Sequence, residues 1–221
     1  MLKLPDFPRG CPLALTLIAL NALLYLGQMS TQGQLTNMGI LYGPLVQQGQ
    51  VWRLLSAGFL HGSLLHIAFN MYLLFMLAPL LERAYGSLRF ALIYLGSLFG
   101  GALAVMVFNW DQPTLGASGA VLGLAGALGI AFYERGVNPR NSPVFGLVIL
   151  NLALPLLVPG ISFWGHFGGV VFGMLMGYLM IWLPSRSRGS STANTLSIGA
   201  AATVVLAALS YMAATSGGFN F

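Results

Sequence analysis

Of the 221 residues, 57% are hydrophobic and 6% charged, and the mean hydropathy of +0.82 lies far outside the range of a water-soluble domain. The net charge of +5 comes from nine basic residues set singly between apolar blocks; they form no surface that could follow a phosphate backbone, so no nucleic-acid partner is expected. A single cysteine, Cys11, excludes an internal disulfide, and no Cys or His pair stands at ligand spacing, so neither a metal nor another cofactor is expected.

Apolar stretches able to cross a hydrocarbon core, about 20 residues each, fall at 12–29, 64–81, 88–108, 116–133, 143–160, 163–183 and 195–215. The first follows Lys3 and Arg9 as a signal-peptide core would, yet no small-x-small cleavage site comes after it. It reads as a retained span behind a short cytoplasmic N-terminus, residues 1–11. The stretch 30–63 carries Gly, Gln, Asn, Trp52 and Arg53 and reads as a partly structured loop seated at the membrane interface. There Trp52 would sit at headgroup level and Arg53 would bond loop carbonyls or lipid phosphate. His61, just before the second span, reads as structural.

The fold class expected is an all-α polytopic membrane protein: a six-helix core over 12–184, a cytoplasmic linker over 185–194, and a seventh transmembrane helix with an outer tail over 195–221. With the N-terminus in the cytoplasm, Lys3, Arg9, Arg83, Arg89, Arg135, Arg140, Arg186 and Arg188 fall inside, and only Arg53 falls outside. That asymmetry is what the positive-inside rule predicts.

Under this topology the even-numbered spans all start at the outer face, and each carries a marked residue near its start. His66 precedes Glu82 by 16 residues, Ser118 precedes Glu134 by 16, and His166 precedes Pro184 by 18. At a rise of about 1.5 Å per residue all three share one depth, about 24 to 27 Å from the cytoplasmic boundary. Water reaches such a depth only through a protein-lined cavity. Ser118 alone would pass for an ordinary packing residue, but an ionisable histidine inside a span is costly and points to function. Glycines at 165, 169, 173 and 177 lay a smooth stripe on the sixth helix, which allows close approach to the fourth and brings His166 within hydrogen-bond reach of Ser118.

His66 and Asn70, four apart, share a helix face. Either they bond neighbouring backbone, or they join the free first-turn amide of Ser118 in stabilising an oxyanion. Other chemistries are excluded by residue type. Lys3 is the only lysine, the carboxylates Asp6, Glu82, Asp111 and Glu134 all avoid the middle of the membrane, and there is no HExxH or GxSxG sequence. Ser118 with His166 is the one coherent catalytic pair.

In order along the chain, Trp52-Arg53, His61, His66-Ile67-Ala68-Phe69-Asn70, Glu82, Gly86, Gly116-Ala117-Ser118-Gly119, and His166 with Gly169 and Gly173 resemble the rhomboid family of intramembrane serine proteases. The resemblance spans about 50–183. It implies a serine endopeptidase with Ser118 as nucleophile, His166 as general base, and His66, Asn70 and the Ser118 amide as oxyanion hole. Gly116, Gly119, Gly169 and Gly173 are expected to serve helix packing, and Trp52, Arg53 and His61 the loop structure. The implied partners are transmembrane protein substrates, single-span and cut near the outer interface, together with membrane lipids. The fifth helix and loop 157–162, with Pro155 and Pro159, are expected to form a lateral gate. One departure stands out: where some relatives carry a Tyr four residues after the serine, packed on the catalytic His, this chain has Leu122. The soluble N-terminal domain of some relatives is not expected here, and with no organellar targeting segment ahead of the first span the expected site is a bacterial inner membrane, with the active site opening outward. The rival readings are a non-catalytic scaffold that binds membrane proteins and a small-solute transporter lined by His66, Asn70 and His166.

Overall fold

Seven apolar helices carry the architecture, each started or stopped by identifiable local chemistry. The computed structural model describes residues 10–187 and 191–218; Lys3, Asp6, Arg9 and Arg188 of the sequence reading lie outside them. α1 spans Pro12–Ser30, with proline in the first turn where its missing N–H costs nothing. α2 spans Leu64–Tyr85, capped by the Ser63 hydroxyl accepting from the His66 amide and ended by Gly86 at φ 85°. α3 spans Ser87–Phe108, α4 Ser118–Glu134 and α5 Pro143–Ala153. α6 spans Phe163–Gly177, capped by Ser162 accepting from the Gly165 amide, and runs on through a π turn at Tyr178–Trp182 to Arg186. α7 spans Thr192–Thr215 under a Ser191 cap.

Among the described residues there is no strand; Leu41 and Thr114 form one antiparallel bridge. Five of the helices are long and apolar enough to cross a membrane, so the chain is an all-α polytopic membrane protein. α4 and α5 are shorter than the spans expected at 116–133 and 143–160. α4 begins only at Ser118, because Gly116 is held at φ 129° outside the helix. α5 stops at Ala153 because Pro155 cannot continue the hydrogen-bond ladder, and a 3-10 turn follows at Leu154–Leu156. The linker expected at 185–194 is also shorter: α6 continues to Arg186, and α7 starts at Thr192. The loop between α1 and α2 holds short helical turns at Gln34–Gly39, Gly43–Gln47, Arg53–Ser56 and Ala57–Phe59.

α3, α4 and α6 form the centre, with α4 almost wholly enclosed. Glycines set the spacing. A Cβ at Gly169 would fall onto the Gly119 carbonyl, and one at Gly173 onto the backbone of Gly123; a Cβ at Gly177 would stand 2.8 Å from Ala127 Cα. Backbone therefore meets backbone at three successive turns, the close packing that small residues allow where lipid offers no hydrophobic drive. α1 is tied to the opposite end of the bundle by Glu82, whose buried carboxylate accepts from the Leu13 and Ala14 amides, each at 2.9 Å, and from Ser87 Oγ at 2.6 Å. It satisfies the free first-turn donors of α1 and complements the helix dipole.

α7 packs along α3, where Ser210 Oγ donates to the Phe99 carbonyl at 3.0 Å. Its outer end is fastened as well: Trp110 Nε1 donates to the Ala214 carbonyl at 2.7 Å, and Gln47 Nε2 to the Thr215 carbonyl at 3.1 Å. Every arginine described at a helix end on the far side from Ser118, namely Arg83, Arg89, Arg135, Arg140 and Arg186, lies at the same end of the bundle as Glu82 and Glu134.

Gly173→Val forces the α4–α6 interface apart and should cost about 1–3 kcal/mol, read as a lower melting temperature in detergent. Gly146→Ala, at a position with open space on α5, should leave melting unchanged or raise stability by up to about 1 kcal/mol.

Candidate active site

Ser118 is the first residue of α4, and the segment leading to it is fixed on three sides. Thr114 exchanges backbone hydrogen bonds with Leu41, the Gly116 amide donates to the Ala57 carbonyl at 2.9 Å, and the first helical bond runs from the Val121 amide to the Ala117 carbonyl. The amides of Ser118, Gly119 and Ala120 are thus left without intrahelical partners at the positive end of the helix dipole. Gly116, expected among the helix-packing glycines, has another role. Its φ of 129° disfavours any side chain, and a Cβ there would stand 2.8 Å from both Cε1 and Nε2 of His66. Gly119 does pack against α6: a Cβ there would come within 3.0 Å of the Gly165 carbonyl.

His166 lies in the first turn of α6, buried, with Nε2 at 2.9 Å from Ser118 Oγ. Its other ring nitrogen, Nδ1, is 2.9 Å from the backbone carbonyl of Asn151 on α5. A carbonyl only accepts, so Nδ1 carries the proton and, in the neutral ring, Nε2 is the acceptor facing the serine hydroxyl. The ring is held by this hydrogen bond, while Leu122 is fully buried and lines the same cavity.

His66, in the first turn of α2, is half-buried. Its Nδ1 accepts from the Gly62 amide at 3.4 Å, so Nε2 bears the proton and is a donor, placed against Gly116 two residues before the serine. Asn70 is buried one turn further on and gives one amide hydrogen to the His66 carbonyl at 2.9 Å, which leaves the second for the cavity. Ser118, His166, His66 and Asn70 all line one cavity of about 710 Å³, otherwise mostly apolar, with exposed Leu65 and Phe69 of α2 and Val158 after α5 at its edge. The arrangement offers a hydroxyl beside a neutral imidazole acceptor, facing a set of N–H donors. That is the equipment for acyl transfer.

The loop residues support the entry to α2. Arg53 is buried and donates through Nη1 to the Asn37 and Ile40 carbonyls at 2.9 and 2.8 Å, while Nε and Nη2 share the Gln50 side-chain oxygen. These carbonyls belong to the loop, one of the two kinds of partner expected for it. Trp52 is 55% exposed, with Nε1 donating to the Met38 carbonyl. His61 is buried and packs edge-on against His66, with ring centroids 5.1 Å apart. Gln28 of α1 clamps the His61 backbone at both its N–H and C=O. Neither Gln28 nor Asn151 stands out in the sequence. A backbone acceptor leaves no residue-type signature, and a lone glutamine ahead of a loop looks like any interfacial polar group. Among the described residues no group of His, Cys, Asp and Glu could hold a metal ion.

A model of the rhomboid domain matches residues 48–183, more than half of the chain. The chain is 33% identical over 167 residues to an Arabidopsis thaliana protein named RHOMBOID-like protein 6, mitochondrial, covering 72% of this chain and 53% of that one. It is 36% identical over 164 residues to the Bacillus subtilis protein named rhomboid protease GluP, covering 71% and 32% respectively. A Toxoplasma gondii protein named rhomboid-like protease 1 is 32% identical over 169 residues, covering 69% and 58%. The chain therefore spans between about a third and just over half of the length of these relatives.

Burial, reinforced by the neighbouring His66, pushes the His61 pKa from 6.5 down to about 3. As pH falls, the unfolded chain therefore takes up this proton before the folded protein does. The stability that goes with a neutral His61 is complete above pH 6.5 and drains away toward about 3. His61→Phe should accordingly lose less of its melting temperature than the wild type between pH 7 and pH 4, measured in the same detergent.

Proposed function

Because this chain belongs to the rhomboid family of membrane proteins, we propose that it is an intramembrane serine endopeptidase working through Ser118 and His166. The observation that carries this reading is the 2.9 Å approach of His166 Nε2 to Ser118 Oγ with the far side of the ring held by a carbonyl. A buried neutral imidazole acceptor against a first-turn serine has little to offer packing, and it suits removal of the hydroxyl proton during attack on a carbonyl.

In the proposed reaction the substrate carbonyl lies over the first turn of α4. Ser118 Oγ attacks it while His166 Nε2 takes the proton. The oxyanion that forms is met by the Ser118 amide, the His66 Nε2–H and the second Asn70 amide hydrogen. As the tetrahedral intermediate collapses, His166 returns its proton to the departing amine and leaves an acyl group on Ser118; a water activated by the same nitrogen then hydrolyses it. Among the described residues no carboxylate stands behind the base. The Asn151 carbonyl fixes the tautomer but offers the imidazolium a dipole rather than a charge, so the serine is modestly activated and turnover is slow.

Substrates on this reading are transmembrane segments of other proteins, entering the cavity beside α5. Asn151 is the only residue of Pro143–Ala153 that is buried. A helix with so little burial separates from the bundle at small cost, which supports α5 and the turns after it as the gate. Of the described arginines, Arg83, Arg89, Arg135, Arg140 and Arg186 stand at the bundle end away from the dyad and only Arg53 stands at the site end, which supports an active site opening to the outer face above a cytoplasmic arginine-bearing end. The bacterial inner membrane expected from the sequence draws no support from the relatives, one of which is named mitochondrial.

Fluorophosphonate labelling of the purified protein in detergent tests the dyad. Labelling should be lost in Ser118→Ala and His166→Ala, and cleavage of a transmembrane substrate should fall about 100- to 1,000-fold in His66→Ala. A folded wild type that leaves the probe untouched, beside a reactive control hydrolase, would sink the proposal.

A further inference from the structure

His166 is aimed by a carbonyl that a regular helix would have kept for itself. In an unbroken α-helix the carbonyl of residue 151 accepts from the amide of residue 155. Residue 155 is proline and has no amide hydrogen. The last bond of α5 runs from the Leu154 amide to the Leu150 carbonyl, and the backbone then tightens into the 3-10 turn at Leu154–Leu156. The Asn151 side chain is occupied elsewhere, donating to the Leu147 carbonyl at 2.8 Å. What turns toward α6 is the main-chain oxygen of Asn151, and it meets His166 Nδ1 at 2.9 Å.

We propose that Pro155 is a positioning residue for the base: by withholding an amide hydrogen, it leaves the Asn151 carbonyl to take the Nδ1–H of His166 and so keeps Nε2 bare toward Ser118. This rests on the Ser118/His166 reading and deepens it, because it gives a proline four residues beyond Asn151 and 11 before His166 a part in choosing the tautomer. A proline also stiffens the turn and its ring crowds the carbonyl of the preceding turn, and those effects depend on the ring. The proposed role depends only on the missing hydrogen.

The two are separable by backbone chemistry. Pro155→Ala restores the N–H, whereas Pro155→lactic acid, introduced by nonsense suppression, has the same methyl side chain with an ester oxygen in place of the N–H. The chain has three histidines, so ring-labelled [15N]histidine gives three pairs of signals, and His166→Ala identifies the pair in question. The wild type should show His166 protonated at Nδ1 and bare at Nε2. Pro155→Ala should mix the tautomers and slow fluorophosphonate labelling about 3- to 10-fold, the worth of one neutral hydrogen bond, and Pro155→lactic acid should recover both the tautomer and the rate.

A wild-type His166 protonated at Nε2 would overturn the proposal, as would a Pro155→Ala protein with wild-type tautomer and rate. An ester variant as slow and as mixed as Pro155→Ala would assign the effect to the ring and overturn it too. Should the wild type fail to react with the fluorophosphonate, the serine-hydrolase reading falls, while the nitrogen signals still decide whether Pro155 sets the tautomer.

Discussion

Everything at the candidate site depends on how closely α4 and α6 approach. Both helices begin at the same level, and each places its chemical group in its first turn, Ser118 on one and His166 on the other. Hydrogen bonding between two short side chains from separate helices requires main chains nearly in contact. The pairing of Gly119 with Gly169, Gly123 with Gly173 and Ala127 with Gly177 provides this, because an added Cβ at any of these α6 glycines would strike backbone. In lipid such contact is held by dispersion and shape, since there is no water to expel from between the helices. The same stripe that fixes stability thus fixes the distance between the two reactive atoms.

A second layer of constraint surrounds that pair with polar groups that all have structural obligations. The Gly62 amide settles which nitrogen of His66 is protonated, the Asn151 carbonyl does so for His166, and the Ala57 carbonyl holds the glycine before Ser118. Each of these partners is main chain. For a buried ring, a backbone dipole orients a histidine without adding the desolvation cost of a buried carboxylate. The consequence is a His166 ring that is firmly aimed at Ser118 by a dipole rather than by a charge.

The supporting parts divide between the two ends of the bundle. At the end away from the site, Glu82 ties α1 to the turn between α2 and α3. At the site end, Arg53 and Gln28 gather the long loop around the entry to α2, and Trp110 joins the α3–α4 connection to the last turn of α7. α5 stands apart from this fastening, since its main polar link to the centre is the Asn151–His166 bond itself.

Composition and local spacing were enough to determine the membrane class, the order of the helices, the glycine stripe on α6 and the shared depth of Ser118, His166 and His66 near the starts of their helices, with Asn70 one turn beyond His66, because hydropathy and helical periodicity are local properties that residue types record directly. The true starts and ends of α4 and α5 were less legible. They turn on Gly116 being held outside the helix by its bond to the Ala57 carbonyl and on Pro155 breaking the ladder, and the first of these exists only once the loop before α2 is packed against the start of α4. The tautomers of His66 and His166, the clamp from Gln28 and the acceptor at Asn151 were decided by tertiary structure alone. They depend on main-chain atoms, which are the same in every residue, and only the packed arrangement of the helices determines which carbonyl or amide ends up beside which ring.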